Sequence, residues 1–313
     1  MKPLIILIGN PAARKSTTGK IDHAAAFLRE KGFGTETCLT EKRGDAERLA
    51  HEGAGKKPFL IIACGGDGTI NEVINGIARS DTPLAILPLG TTNVLAKELS
   101  IPEDVKGALE TAISKTPKTV SLGKIVIDAG TSTGPDGTPE VQAGDSPGYS
   151  PQAERYFCLM AGIGFDGETV HDVNTSLKKI SGKAAYIFSG INNFLNYRPD
   201  EIFFNIDGKA YSGYCAIIGK AGRYGGNFRA TPDANLAEPS LYACIFKGGK
   251  RSDLLRYIFR IIRGSHLKED DIIYLKASDI EIHGHAHIQI DGDYLGVTPA
   301  RLSVEKDALK IIY

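Results

Sequence analysis

The 313-residue sequence has no tryptophan, only two methionines and five cysteines, and its 37 basic and 37 acidic side chains cancel to a formal net charge of zero. Each shortage excludes something. Zero net charge argues against a protein that holds a polyanion through its overall field, so nucleic acid is set aside as a partner. Cys38, Cys64, Cys158, Cys215 and Cys244 are odd in number, widely spread and form no Cys-x-x-Cys pair. They read as buried, reduced thiols of a cytoplasmic protein, not as a disulfide framework. No apolar run approaches the roughly 18 residues of a membrane-crossing helix. The opening MKPLIILIGNP reads as a first strand, too short in its apolar part for a secretory signal.

Glycine is in excess: there are 36, where average usage of about 7% would give about 22. Apolar residues at 42% and charged residues at 24% describe a folded chain. Its length suffices for two ordinary domains. Over the first 127 residues, strand-like runs alternate with helical spacing. LIILI (4–8), FLIIAC (59–64) and LAIL (84–87) are continuous apolar runs of the kind buried on both faces of a parallel sheet, and 35–39 is a shorter strand candidate. Helices are expected at 19–31, 46–51, 70–77 and 94–99. In the third, Ile70, Val73, Ile74 and Ile77 mark one face. This alternation implies an α/β sheet with right-handed crossovers.

Residues 129–153 are rich in Gly, Pro, Ser and Thr and read as a flexible loop or linker. Beyond them, strands are expected at 202–206, 211–219, 241–246, 272–275, 280–290 and 301–304, with helices at 176–195 and 253–263. Two Ile-Asp-Gly triplets, at 206–208 and 290–292, read as hairpin tips. The second half is therefore expected to be a mainly antiparallel β domain.

The strongest local signal is FLIIACGGDGT followed by INEVINGI. A buried strand runs into Gly65-Gly66-Asp67-Gly68-Thr69, and a helix starts at once. Glycines let the backbone approach a ligand closely, with N–H groups aimed at phosphate oxygens. The helix N-terminus adds about half a positive charge at the same place. A carboxylate there, Asp67, favours an intervening Mg2+ or a proton-accepting role; the alternative is that Asp67 or Thr69 merely caps the helix. A second strand–turn–helix unit, LAILPLGTTNVLAKEL at 84–99, places Gly90, Thr91, Thr92 and Asn93 at another helix start. Two such units on neighbouring strands would converge at the carboxyl edge of one sheet, where α/β folds bind ligands.

GGDGTINEVINGI at 65–77 and PLGTTNVLAKEL at 88–99 resemble the signature of the diacylglycerol kinase catalytic-domain family, in its soluble bacterial form with diacylglycerol, sphingosine and ceramide kinase relatives. Asn10-Pro11, Thr40, the Gly162-Ile163-Gly164-Phe165-Asp166 stretch and Asp291-Gly292-Asp293 are similar to further family positions, in order along the whole chain. The resemblance implies a Rossmann-like α/β nucleotide domain plus an antiparallel β-sandwich, the fold of NAD and diacylglycerol kinases. Its expected limits are 1–128 with about 301–313 for the ATP-binding domain, 129–154 for the linker and 155–300 for the lipid-substrate domain.

It also implies ATP-dependent phosphorylation of a lipid hydroxyl, diacylglycerol by default, with ATP and Mg2+ as cofactors. Carried over, Asn10, Thr40 and Thr91 would contact ATP together with Gly65, Gly66, Asp67, Gly68, Thr69, Ile70 and Asn71. Asp67 would organise Mg2+ and Asp293 would accept the lipid proton. This chain departs from the family in three places. Asp293 stands where the family has Glu, Ala12-Ala13-Arg14-Lys15 where glycines are common, and Leu236-Ala237-Glu238-Pro239-Ser240 where the family's structural Mg2+ loop carries Asp-Gly. Glu238 remains a candidate ligand there.

Two weaker signals complete the reading. His283, His285 and His287 alternate, so on one strand they would face one side about 6–7 Å apart; a polar sheet face and a metal site are both open. Arg256, Arg260 and Arg263 form a stripe on an amphipathic helix beside Leu254, Leu255, Ile258, Ile261 and Ile262, a pattern of membrane-surface helices or of a core helix with solvated arginines. The expectation is a cytoplasmic lipid kinase, peripheral to an anionic membrane surface, with a homodimer left open. The rivals are an NAD-kinase-like enzyme and a nucleotide- or lipid-binding protein with impaired catalysis.

Overall fold

The computed structural model describes residues 2–11, 17–127, 154–165, 167 and 199–313. The linker expected at 129–154, save its last residue, and the helix expected at 176–195 lie outside the described residues, as do Ala12–Lys15 and Asp166.

The continuous apolar runs become central strands. β1 (Leu4–Gly9), β3 (Leu60–Gly65) and β4 (Leu84–Pro88) are buried along almost their whole length, while β2 (Gly34–Leu39) is half-exposed at the edge. They pair in parallel in the order β2-β1-β3-β4. The connecting helices are α1 (Thr17–Glu30), α2 (Asp45–Gly55) and α3 (Asp67–Ile77), followed by α4 (Val94–Glu98) and α5 (Val105–Ser114). In α3 the buried face carries Ile70, Val73, Ile74 and Ile77, as the spacing predicts. Sequence reading did not anticipate α5, although Asp104 caps it by accepting from Gly107 N–H at 2.8 Å, a start signal visible in the chain.

The strands that follow are β5 (Lys118–Ile127), β6 (Glu154–Phe157), β7 (Met160–Ile163), β8 (Ile202–Ile206), β9 (Lys209–Gly213), β10 (Cys215–Gly219) and β11 (Leu241–Phe246). After α6 (Arg251–Ile262) come β12 (Ile272–Ala277), β13 (Asp279–His283), β14 (His287–Ile290), β15 (Asp293–Val297) and β16 (Ala300–Ile311). One ten-stranded sheet runs β2-β1-β3-β4-β16-β13-β8-β9, with β5 on β16 and β6 on β5. A second, antiparallel sheet runs β12-β11-β10-β7-β14-β15. Ile125, Phe157, Ile163, Phe204, Ile218, Ile245, Ile280 and Ile288 fill one core between the layers. The architecture is thus a parallel α/β layer continued into an antiparallel β-sandwich.

Two expected strands are in fact two strands each. The run 211–219 breaks at Tyr214, and 280–290 breaks across 284–286; in both, one half lies in the first sheet and the other half in the second. At the second break Gly284 has φ +100 and packs against the Glu201 carbonyl, a corner that a side chain would obstruct. Both Ile-Asp-Gly triplets are hairpin tips, with φ +47 and +82 at Asp207 and Gly208 and +49 and +93 at Asp291 and Gly292. Positive φ at both central residues defines type I′ turns. All five cysteines are free, four of them buried; burial pushes the Cys64 and Cys244 thiols far above their ordinary range, leaving them unreactive.

Candidate active site

The two strand–turn–helix units are joined into one structure. Leu89 and Gly90 N–H both donate to Gly65 O, at 2.9 and 3.2 Å. A Cβ on Gly66 would lie 3.2 Å from the Gly90 Cα, a tight approach, and one on Gly90 would strike the Gly66 Cα, so Gly90 excludes a side chain. The N-cap of α3 is Gly66, which offers no side-chain bond to the first turn. The helix is therefore not capped by Asp67 or Thr69, and Asp67 does something else: its Oδ1 accepts from Leu95 N–H at 3.2 Å, at the start of α4. Asn93, the N-cap of α4, makes no cap bond of its own. Its amide nitrogen donates to Gly90 O at 3.2 Å, and its Oδ1 is buried without a partner.

Beside this double turn lies a cavity of about 520 Å³ at the carboxyl ends of the parallel strands, lined by Gly66, Gly68, Thr69 and Gly90 on one side. Asn10 and Thr40, after β1 and β2, line it too, with Glu41, Lys42 and Arg43 from the following loop. Glu72 and Asp293 complete the wall. Asp293 reaches in from the β14–β15 hairpin: a Cβ on Gly68 would stand 3.6 Å from its Oδ2. The Arg43 guanidinium is 3.6 Å from Asp293 Oδ1. Glu72 accepts from Ala46 N–H at 3.1 Å; burial raises its carboxyl above the ordinary range, against the pull of backbone N–H groups, and the nearby Asp293 adds to the rise.

Of the residues expected from sequence, Asn10, Thr40, Gly66, Gly68, Thr69 and Asp293 therefore meet at one cavity. Gly65, Ile70 and Asn71 lie behind it, while Asp67 and Thr91 are not part of its wall. Sequence reading missed Glu72, Lys42 and Arg43. Helical spacing carried the signal for Glu72, since it follows Gly68 and Thr69 by four and three residues and so shares their face. The loop carried none for Arg43.

Asn71 has a different task. Its amide donates to Asp291 Oδ2 at 2.8 Å and to Tyr156 O at 3.2 Å. Asp291 is buried and accepts as well from the backbone N–H groups of Cys158 (2.8 Å), Leu159 (2.9 Å) and Met160 (3.0 Å). Burial raises its carboxyl, and these N–H donors oppose the rise. The hairpin bearing Asp293 is thus tied to the helix that carries the glycine turn.

The residues around Glu238 do not fit a metal. Lys220, fully buried, donates from Nζ to the carbonyls of Asn235 (2.6 Å) and Glu238 (2.8 Å). The Glu238 carboxylate pairs with Lys276 at 3.0 Å. An ammonium already occupies the loop's oxygens and repels a second cation. Burial lowers Lys220 to about 8. The three histidines are not one row either: His283 ends β13, His287 begins β14 in the other sheet, and His285 stands at the corner between them. Among the described residues no cluster of three or more His, Cys, Asp or Glu side chains could hold a metal. At the cavity, Glu72 supplies hard carboxylate oxygens of the kind Mg2+ uses together with substrate phosphates, so a phosphate-borne Mg2+ fits there.

The arginine stripe of α6 is also largely consumed. Arg256 bonds Asp253, Glu269 and Asp271, and Arg260 pairs with Glu269 at 2.9 Å.

The diacylglycerol kinase catalytic domain matches residues 4–125, and the YegS C-terminal NAD kinase beta sandwich-like domain matches residues 160–313. A diacylglycerol kinase of Bacillus subtilis (strain 168) is 31% identical over 303 residues, covering 94% of this chain and 90% of the relative. The chain belongs to the diacylglycerol kinase family. A diacylglycerol kinase of Staphylococcus aureus (strain JH9) is 28% identical over 96% of this chain and 89% of its own length. Family membership makes the chain kinase-like. Among solved structures, the crystal structure of a diacylglycerol kinase from Bacillus anthracis str. Sterne superposes with TM-score 0.66 at 20% identity, over 100% of this chain and 97% of that one. That likeness establishes the shared fold. Among the described residues no helix is long and apolar enough to cross a membrane.

Proposed function

We propose that the protein transfers the γ-phosphoryl group of ATP to a lipid hydroxyl, with diacylglycerol as acceptor, at a membrane surface. The observation that carries this reading is the meeting of Asp293 with the uncapped N-terminus of α3 across one cavity. The backbone N–H groups of the Gly66–Thr69 turn hold phosphate oxygens, aided by the helix dipole. Thr40 and Asn10 bound the nucleotide end, and Asp67 keeps the second turn in register through Leu95. Arg43, now on Asp293, is placed to neutralise phosphate charge. Glu72 would help hold a phosphate-borne Mg2+ at the cavity, and the ion would supply charge neutralisation during transfer. Asp293 takes the proton of the lipid hydroxyl as its oxygen bonds to the γ-phosphorus, the β–γ bridging bond breaks, and ADP leaves. Such transfer depends mainly on positioning and charge. Lys220 stands where the family departure had cast doubt on a structural metal, and it takes that role without one.

The test is incubation with γ-labelled ATP and diacylglycerol in mixed micelles, with NAD in a parallel tube. Label in phosphatidic acid supports the reading. Label in NADP alone, or ATP binding without turnover, would overturn it.

A further inference from the structure

The α6 helix carries two apolar stripes where one would suffice. Leu254 and Tyr257 are buried and Ile261 packs beside them, with Tyr257 on Phe246 at 4.9 Å between ring centroids. Its hydroxyl donates to Asp271 at 2.6 Å and accepts from Gly248 N–H at 2.8 Å. That side anchors the helix completely. The opposite stripe, Leu255, Ile258, Phe259 and Ile262, follows i, i+3, i+4, i+7 and is 53%, 40%, 51% and 52% exposed. Four large apolar side chains on one solvent-facing helical stripe form a contiguous patch, unlike scattered surface leucines.

The charge along the helix and its flanks is mostly positive. From 247 to 268 there are seven Lys and Arg residues against one acid, Asp253, and Asp253 is engaged by Arg256 and Lys250 N–H. Because Arg256 and Arg260 are paired inward, the exposed cations are Lys247, Lys250 and Arg251 at one end, and Arg263 and Lys268 at the other. Arg263 lies over the Phe259 ring at 4.3 Å.

We propose that this outward stripe of α6 is the surface by which the protein seats on an anionic bilayer, its apolar side chains entering the acyl boundary and its terminal cations meeting lipid phosphates. The proposal rests on the lipid-kinase reading and names the part of the molecule that meets the lipid phase. A second copy of the chain is a poorer occupant, since a two-fold contact would bring the cationic ends against each other.

The absence of tryptophan makes the test clean. Phe259→Trp places one indole on the stripe, and its emission is expected to shift to the blue with vesicles of mixed phosphatidylglycerol and phosphatidylcholine, and much less with phosphatidylcholine alone. The triple variant Leu255→Gln, Ile258→Gln, Ile262→Gln should keep its melting temperature and its activity on a short-chain, monomeric diacylglycerol. Its binding to anionic vesicles, measured by co-sedimentation, should fall at least about tenfold. Undiminished vesicle binding by the triple variant, or an indole emission that ignores anionic lipid, overturns the proposal. So does loss of a dimer in the triple variant, by analytical ultracentrifugation, with vesicle binding retained. Vesicle binding requires no turnover, so failure of the kinase reading would leave this readout standing.

Discussion

Two hairpins in this molecule begin with the same three residues and end in different places. Ile206-Asp207-Gly208 and Ile290-Asp291-Gly292 both make type I′ turns with nearly equal dihedrals. Asp207 is exposed and merely receives the N–H groups of Ser278 and Asp279 at 3.0–3.2 Å. Asp291 is buried, holds three successive N–H groups of the 158–160 segment and binds Asn71 of α3. The residue that follows is Lys209 in one hairpin and Asp293 in the other. Local sequence sets the turn. Where the sheet delivers the turn decides whether its aspartate is a surface brace or an anchor that aims the Asp293 carboxylate into the cavity.

The widest expected gap between the hairpins is catalytic. Asp293→Asn should lower lipid phosphorylation by about 10²–10⁴-fold with an unchanged melting temperature, whereas Lys209→Asn should leave activity within about twofold. Equal losses would erase the distinction.

Stability should separate the anchors next. Asp291→Ala leaves several buried donors without an acceptor and is expected to cost about 3–5 kcal/mol in urea unfolding, against about 1 kcal/mol or less for Asp207→Ala.

Lys220 sharpens the point as the opposite case, a buried cation held by backbone carbonyls. Lys220→Met should cost about 2 kcal/mol, and EDTA should not change the wild-type melting temperature in the absence of nucleotide. Its folded pKa is about 8 against an ordinary 10.5. Between those values the unfolded chain holds the proton and the folded chain does not, so this group makes stability rise with pH across that window. The Met variant should lack that rise in unfolding titrations at pH 7.5 and 10.

The smallest effect belongs to Glu72, which neighbours Asp293. Because burial raises its folded pKa, its contribution to stability is lost as pH climbs through that raised value. Glu72→Gln should therefore gain under about 1 kcal/mol at pH 7, after solvent screening, and nothing near pH 4. A loss at pH 7 would contradict the assignment.

The α/β half was legible because its strands are buried on both faces and its helices show one clean period, as Ile70, Val73, Ile74 and Ile77 do. The β half was less so. Residues 211–219 and 280–290 keep strand-like patterning through a corner, and periodicity does not record a change of sheet. The glycine turns and Asp293 could be read from spacing and family resemblance. The partners that give them geometry could not, because Asn71 meets Asp291 across 220 positions and Arg43 sits in a loop without a pattern. Arg256 and Arg260 misled for the same reason: a helical wheel shows where arginines point, not that Glu269 and Asp271 wait beneath them.

The last strand has a consequence for synthesis. β4 finds its outer neighbour only at Ile311, and Ile312 N–H donates to Leu84 O at 2.9 Å. A ribosome that has delivered the first 127 residues has released four parallel strands and five helices, yet the edge beyond β4 stays open. The hairpin with Asp293 emerges before that edge can close. Order of translation thus places the Asp293 hairpin ahead of the strand that closes the parallel layer.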